Sequence, residues 1–163
     1  MKVALIMGSA SDFPVVEQGL KILQEFGVES EVRIISAHRT PDQAVAYGKK
    51  AAEEGIEVII AAAGKAAHLG GILAAVSIVP VIGLPLKSSA LDGLDSLLSI
   101  VQMPKGIPVA TVAIDGAENA ALLAIQILAL KYDQLKVRLQ EYRAKMARQV
   151  EESDSRLKQR LQQ

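Results

Sequence analysis

A chain of 163 residues, half of them apolar and 22% charged, has room for one well-buried core and the composition of a folding domain, which sets disorder aside. Cysteine is absent, so a disulfide framework, a thiolate metal site and a cysteine nucleophile are excluded, in keeping with a reducing cytosol. Formal charge balances at 18 cations and 18 anions, yet residues from Lys131 onward hold 9 basic and 5 acidic side chains, a net of +4 against −4 in the first 130.

The amino-terminal run Met1–Gly8 carries one cation and is too short for a signal peptide. Its apolar part predicts the first strand, Val3–Met7. The loop that follows, Gly8-Ser9-Ala10-Ser11-Asp12, has small residues and two hydroxyls at a helix start, an arrangement open to an anion. Asp12 is placed to cap a first helix whose apolar face is Val15, Val16, Leu20, Ile22, Leu23 and Phe26, ended by Gly27.

A second strand is predicted at Val32–Ile35, followed by Ser36-Ala37-His38-Arg39-Thr40-Pro41. Thr40-Pro41-Asp42-Gln43 reads as a helix start: a capping hydroxyl, proline in the first turn, an early acid and Gln at the capping-box position. Gly55 ends that helical stretch. Strand three is predicted at Val58–Ala62, with the loop Ala63-Gly64-Lys65-Ala66-Ala67-His68-Leu69 behind it. Strand four falls at Val81–Leu84, before Pro85-Leu86-Lys87-Ser88-Ser89, and strand five at Val109–Ala113. Lys65, His68 and Pro80 interrupt the most apolar region, so no run reaches membrane length.

Most of these strands are continuous apolar runs, as expected when both faces are covered. Their alternation with helical patterns implies a parallel sheet with right-handed crossovers, a three-layer doubly wound α/β fold. Asn119–Leu130 is apolar almost all round and needs cover on most faces, part of it from another subunit. Beyond it, Leu135, Leu139, Tyr142, Met146, Val150, Leu157 and Leu161 recur near helical spacing with charges between, predicting a long amphipathic helix packed on its own or a neighbouring subunit. Residues 1–130 are thus read as the domain and 131–163 as a helical extension. The basic bias of that extension lacks interleaved aromatics and alternates in sign, a solvated face and not a nucleic-acid surface.

Doubly wound sheets bind ligands beyond the carboxyl ends of their strands. Both histidines of the chain, His38 and His68, fall in such loops, together with Ser9, Ser11, Asp12, Ser36 and Arg39. Imidazole ordinarily titrates near pH ~6.5 and can give and take protons at neutral pH. Arg39 offers a planar fork for phosphate or carboxylate. The chain has no Gly-x-x-x-x-Gly-Lys-Ser/Thr loop, no Gly-x-Gly-x-x-Gly fingerprint, no Gly-x-Ser-x-Gly elbow and no metal-ligand spacing. From the residues alone the reading is an acid–base site for a small phosphorylated ligand, without metal or redox cofactor.

At these loops the chain resembles a known family. Met7-Gly8-Ser9-Ala10-Ser11-Asp12, Ser36-Ala37-His38-Arg39-Thr40-Pro41, Ala66-Ala67-His68-Leu69 and Leu94 to Pro104 are similar to the class I 5-(carboxyamino)imidazole ribonucleotide mutases. Pro108 to Ile114 and Asn119 to Ala124 continue the match, which spans residues 2 to 131. The resemblance implies a flavodoxin-like subunit in a cytoplasmic homo-octamer, working without cofactor or metal. It implies a phosphoribosyl aminoimidazole substrate whose carboxylate moves from the exocyclic nitrogen to a ring carbon in purine biosynthesis, through a carbon dioxide intermediate. His38 is implied as the proton carrier; Ser9, Ser11, Asp12, Ser36, Arg39, His68 and Leu69 are implied to bind substrate. Three positions depart from the family pattern: Ala62, Lys65 and Gly70 stand for glycine, glycine and proline. Lys65 is read as facing solvent, and the third loop as one that closes differently. A direct carboxylase of the class II kind, a paralogue acting on another carboxylated heterocyclic nucleotide and a non-catalytic phosphoribosyl-binding module stay open as alternatives.

Overall fold

The computed structural model describes residues 1–162. Five strands form one sheet, β1 (Lys2–Met7), β2 (Glu29–Ile34), β3 (Val58–Gly64), β4 (Val81–Leu86) and β5 (Ala110–Thr111), in the order β2-β1-β3-β4-β5. All four pairings are parallel. Six helices cross between or follow them: α1 (Phe13–Glu25), α2 (Pro41–Lys50), α3 (Leu69–Val76), α4 (Leu94–Val101), α5 (Ala117–Leu128) and α6 (Asp133–Leu161). This is the doubly wound, three-layer architecture the strand–helix alternation implies.

Residue alternation on β1 divides the core in two. Val3, Leu5 and Met7 face α1 and α5, together with Leu23, Ala121 and Ile125. Ala4 and Ile6 face the other way, against Ala44, Tyr47, Leu69 and Leu73 of α2 and α3. Because both faces are covered, β1, β3 and β4 are buried along nearly their whole length.

The edges behave differently. β2 starts three residues earlier than expected and is only half-buried, since an edge strand lacks a neighbour on one side. Its polar stretch is held by charge: Lys2 Nζ lies 3.0 Å from Glu31, whose carboxyl that hydrogen bond holds below the usual range. At the other edge, β5 contracts from the expected five residues to two. Gly27 and Gly55 take left-handed φ values of 67° and 77° just past their helical stretches.

Two capping expectations fail. Asp12 makes no side-chain cap on α1; a 3-10 turn, Ala10–Asp12, intervenes, and Asp12 closes a capping box with Ser9. Thr40 does not cap α2 through its hydroxyl either. Its Oγ1 donates instead to the Ser36 carbonyl at 3.0 Å and accepts from the Ser36 amide at 3.1 Å, because the tight turn between them puts Ser36 nearer than the helix amides.

α5 buries Ala117, Ala120, Ala121, Ala124, Ile125 and Leu128, while Leu130 just beyond it is left exposed. α6 starts against the core through Leu135, with Leu139 and Tyr142 packed beside it. Its root is pinned by Glu57, which meets Lys131 at 2.8 Å and the Tyr132 hydroxyl at 2.9 Å. Burial alone would raise the Glu57 carboxyl; these two hydrogen bonds, with the charges of Lys131 and the amino terminus, outweigh it and leave it lowered. The rest of α6 exposes Met146, Val150, Leu157 and Leu161.

Candidate active site

The order β2-β1-β3 makes the gap between β1 and β3 the place where chain connections turn opposite ways, the position that opens a crevice at the strands' carboxyl ends. A cleft of 640 Å³ occupies it. Its walls are the loops after β1, β2, β3 and β4, and they include every site position that the family resemblance implies: Ser9, Ser11, Asp12, Ser36, His38, Arg39, His68 and Leu69.

In the first loop, Ser9 begins the 3-10 turn. Its hydroxyl accepts from the Ser11 hydroxyl at 2.9 Å, and its amide donates to Asp12 Oδ2 at 3.0 Å. Asp12 is partly buried, and that burial raises its carboxyl above the usual range against the opposing pull of the Ser9 amide, the Ser11 hydroxyl and Arg39. A hydroxyl-rich rim with one carboxylate suits the hydroxyls of a sugar phosphate.

The second loop folds around Ser36. Its Oγ accepts from the Arg39 amide at 3.2 Å and from Arg39 Nε at 3.3 Å. Arg39 Nη2 donates to the Gly8 carbonyl at 2.7 Å, tying the second loop to the first. Two of the five guanidinium donors are thereby used, and the fork is oriented with the others free for an anion.

His38 and His68 meet although 30 residues separate them. His38 Nε2 lies 2.7 Å from His68 Nδ1, the rings edge to face with centroids 4.9 Å apart. One nitrogen must donate and the other accept, so the contact fixes one proton between two imidazoles. Both side chains are exposed to the cleft. Leu69, by contrast, is almost wholly buried and joins the cleft to the core beneath. Ala37, Ala63 and Ala66 add small apolar wall.

Sequence reasoning left the fourth loop without a role, yet Lys87, Ser88 and Ser89 complete the cleft. The rule that pointed to the other three loops, the carboxyl end of a parallel strand, applied equally there. Ser88 is buried and donates to Asp95, while Lys87 is paired with Asp92 at 3.2 Å.

Lys65 is exposed and forms part of the cleft wall. Its φ is +56°, left-handed. Among the described residues the two other non-glycine positions with positive φ are Asp92 and Asp115, a type that tolerates this region, whereas for lysine it costs about 1–2 kcal/mol. The glycine that the family pattern has at this position is thus explained by backbone conformation. Gly70, the other departure in this loop, lies in the first turn of α3 and is buried. Among the described residues, no three His, Asp or Glu side chains gather as a metal ion would need.

A parallel α/β sheet with paired imidazoles, an oriented guanidinium and a hydroxyl rim in one crevice defines a class: proteins equipped for proton transfer on a small anionic ligand. Residues 2–149 match the family described as AIR carboxylase, and the chain belongs to it. An N5-carboxyaminoimidazole ribonucleotide mutase from Pyrococcus horikoshii is 63% identical over 155 residues, covering 95% of this chain and 88% of that protein. A protein of the same name from Thermotoga maritima is 56% identical over 158 residues, 97% of this chain and 92% of that one. The crystal structure of Treponema denticola PurE superposes with a TM-score of 0.86 at 31% identity, covering 96% of this chain and 98% of that one.

Proposed function

We propose that this chain interconverts 5-(carboxyamino)imidazole ribonucleotide and 4-carboxy-5-aminoimidazole ribonucleotide, a step of purine biosynthesis, with His38 as the proton carrier. The observation that carries this reading is the His38–His68 contact of 2.7 Å inside the cleft, in a chain 63% identical to a mutase of that name.

The chemistry needs one proton moved twice. Breaking the nitrogen–carboxylate bond releases neutral carbon dioxide and leaves the electron pair on nitrogen, which takes a proton from His38. The ring carbon then attacks carbon dioxide, a carbon–carbon bond forms, and the hydrogen on that carbon returns to His38. One group that serves as acid and then base closes the cycle, and such positioned proton transfer is worth about 10²–10⁴-fold in rate. Holding carbon dioxide between the steps requires a dry pocket with small walls, which Ala37, Ala63 and Ala66 supply. Asp12 binds the ribose hydroxyls, Arg39 and Ser11 the phosphate, and Ser9 lies near the reacting carboxylate. Ser36 orients Arg39, and His68 and Leu69 bound the ring.

The functional unit is a homo-oligomer, an octamer, in the cytoplasm, with residues 1–130 as catalytic domain and 131–163 as a helical extension on its own or a neighbouring subunit. Ile78 is 93% and Leu130 84% exposed, and Leu94, Leu98 and Val101 lie along one exposed side of α4, which supports further cover. No described helix is long and apolar enough to cross a membrane.

Purified protein is expected to interconvert the two carboxylated nucleotides without ATP, added metal or bicarbonate. His38→Asn should lower the rate by at least about 10²-fold while leaving the circular dichroism spectrum unchanged. Turnover that appears only in concentrated bicarbonate would instead assign direct carboxylation, and undiminished turnover in the variant would remove His38 from the mechanism.

A further inference from the structure

We propose that Lys65 recognises the carboxylate of the substrate and discriminates the carboxylated nucleotides from the uncarboxylated aminoimidazole ribonucleotide; this rests on the mutase reading above.

Three observations converge on Lys65. Its backbone is held in the left-handed region, where glycine fits without cost and lysine does not. A strained residue persists only when its surroundings demand that conformation, and such strain concentrates at ligand sites. The loop therefore keeps a lysine against a standing conformational penalty.

The second observation is charge. Of the cations on the cleft wall, Arg39 is engaged with Gly8 and Ser36, and Lys87 is paired with Asp92. Lys65 makes no ion pair or hydrogen bond among the described residues. A ligand carrying both phosphate and carboxylate presents two anionic ends, and the oriented guanidinium answers only one of them.

Position decides which end is left. Lys65 belongs to the loop that carries His68, whose ring contacts His38. Arg39 is tied to the first loop through the Gly8 carbonyl and to Ser36 within its own loop. Through the His68–His38 contact the third loop lies beside the proton carrier, where the carboxylate breaks and re-forms. An ammonium there attracts the two carboxylated ground states and has little hold on neutral carbon dioxide. Its contribution is made to the ground states more than to the path through carbon dioxide, so removing it raises KM without lowering kcat.

The test compares wild type with Lys65→Gly, Lys65→Gln and Lys65→Arg. Calorimetric titration with 4-carboxy-5-aminoimidazole ribonucleotide is expected to show about fivefold to tenfold weaker binding in the glycine and glutamine variants, with a shallower salt dependence. Affinity for uncarboxylated aminoimidazole ribonucleotide should change less than twofold, roughly the scatter expected of a surface change. KM should rise with the loss of affinity while kcat does not fall, and arginine should restore most of the binding. Relief of the left-handed strain should raise the melting temperature of Lys65→Gly by about 1–2 °C. Equal weakening for both nucleotides would place Lys65 at the phosphate and overturn the assignment, as would unchanged affinity or a fall in kcat alone. Failure of wild type to bind or convert either nucleotide would reject the mutase reading itself, a result separable from any difference among the variants.

Discussion

His38 and His68 share one hydrogen bond, and that fact orders the chemistry of the cleft. Whichever ring donates between His38 Nε2 and His68 Nδ1, the shared proton cannot serve a substrate until the contact opens or the ligand replaces it. Entry of a nucleotide is therefore expected to exchange the His68 contact for one to the reacting atoms. Asp12 adds a pH signature. Burial raises its carboxyl, so the empty folded site takes up a proton at higher pH than an unfolded chain does, and between the ordinary carboxylate value of 3.8 and that raised value ionisation lowers stability. Ribose hydroxyls donating to the carboxylate favour its ionised form. Nucleotide affinity should accordingly fall as pH drops from neutral through the raised value, beginning above the range of an ordinary aspartate. Calorimetric titrations over pH ~4–7 would show the slope, and Asp12→Asn should flatten it.

Elements turn on close approaches more than on propensity. Gly83, in the middle of β4, would bring a Cβ to 2.2 Å from Ile100 Cγ2 of α4 and 2.9 Å from Val109 Cγ1. Gly83→Ala should cost about 1–3 kcal/mol by overpacking, read as a shift of the urea midpoint. Gly70 offers the contrast. A Cβ there would sit 3.7 Å from Ala61 and Val109, ordinary contact distances, in the first turn of a helix. Gly70→Ala should stabilise by about 0.4–1 kcal/mol in the same titration. Element existence was legible because buried parallel strands print continuous apolar runs: Val58–Ala62 reads directly as a strand, and β3 runs two residues further, to Gly64. Edges were harder. The Glu29-Ser30-Glu31 start of β2 is polar because half of it meets water, and nothing apolar marks it. Caps failed for a related reason: Asp12 and Thr40 have the right chemistry for α1 and α2, but neighbouring loop groups, Ser9 and Ser36, compete for the same atoms. The site was legible because its loops share an edge by topology, so His38 and His68 could be grouped without knowing their contact. Ser88 and Lys87 were passed over because neither forms a pattern with obvious chemistry. The left-handed φ of Lys65 has no composition signal, although glycine at that place in the family pattern points to it.

At the scale of the whole molecule, the chain leaves more apolar surface open than a lone subunit would favour. Ile78, Leu130, Leu91 and the outer side of α4 are all exposed, on top of the bare half of α6. Sedimentation at micromolar concentration is expected to give a single species about eight times the mass of one chain, the octamer proposed above. A sharp monomer peak at that concentration would reject the assembly.

Helix α6 spans 29 residues, so it runs about 43 Å, and only its first three turns lie against the fold's own interior. The remaining turns rely on bonds along their own length, such as Lys158 to Asp154 at 2.6 Å, which salt weakens. An unsheltered helical tip of this kind exchanges its amide hydrogens quickly, because local opening there breaks little packing. In dilute, salty solution deuterium should enter from the tip toward Tyr142 in a graded wave. Once neighbours lie alongside, the same amides should exchange as slowly as those of α5.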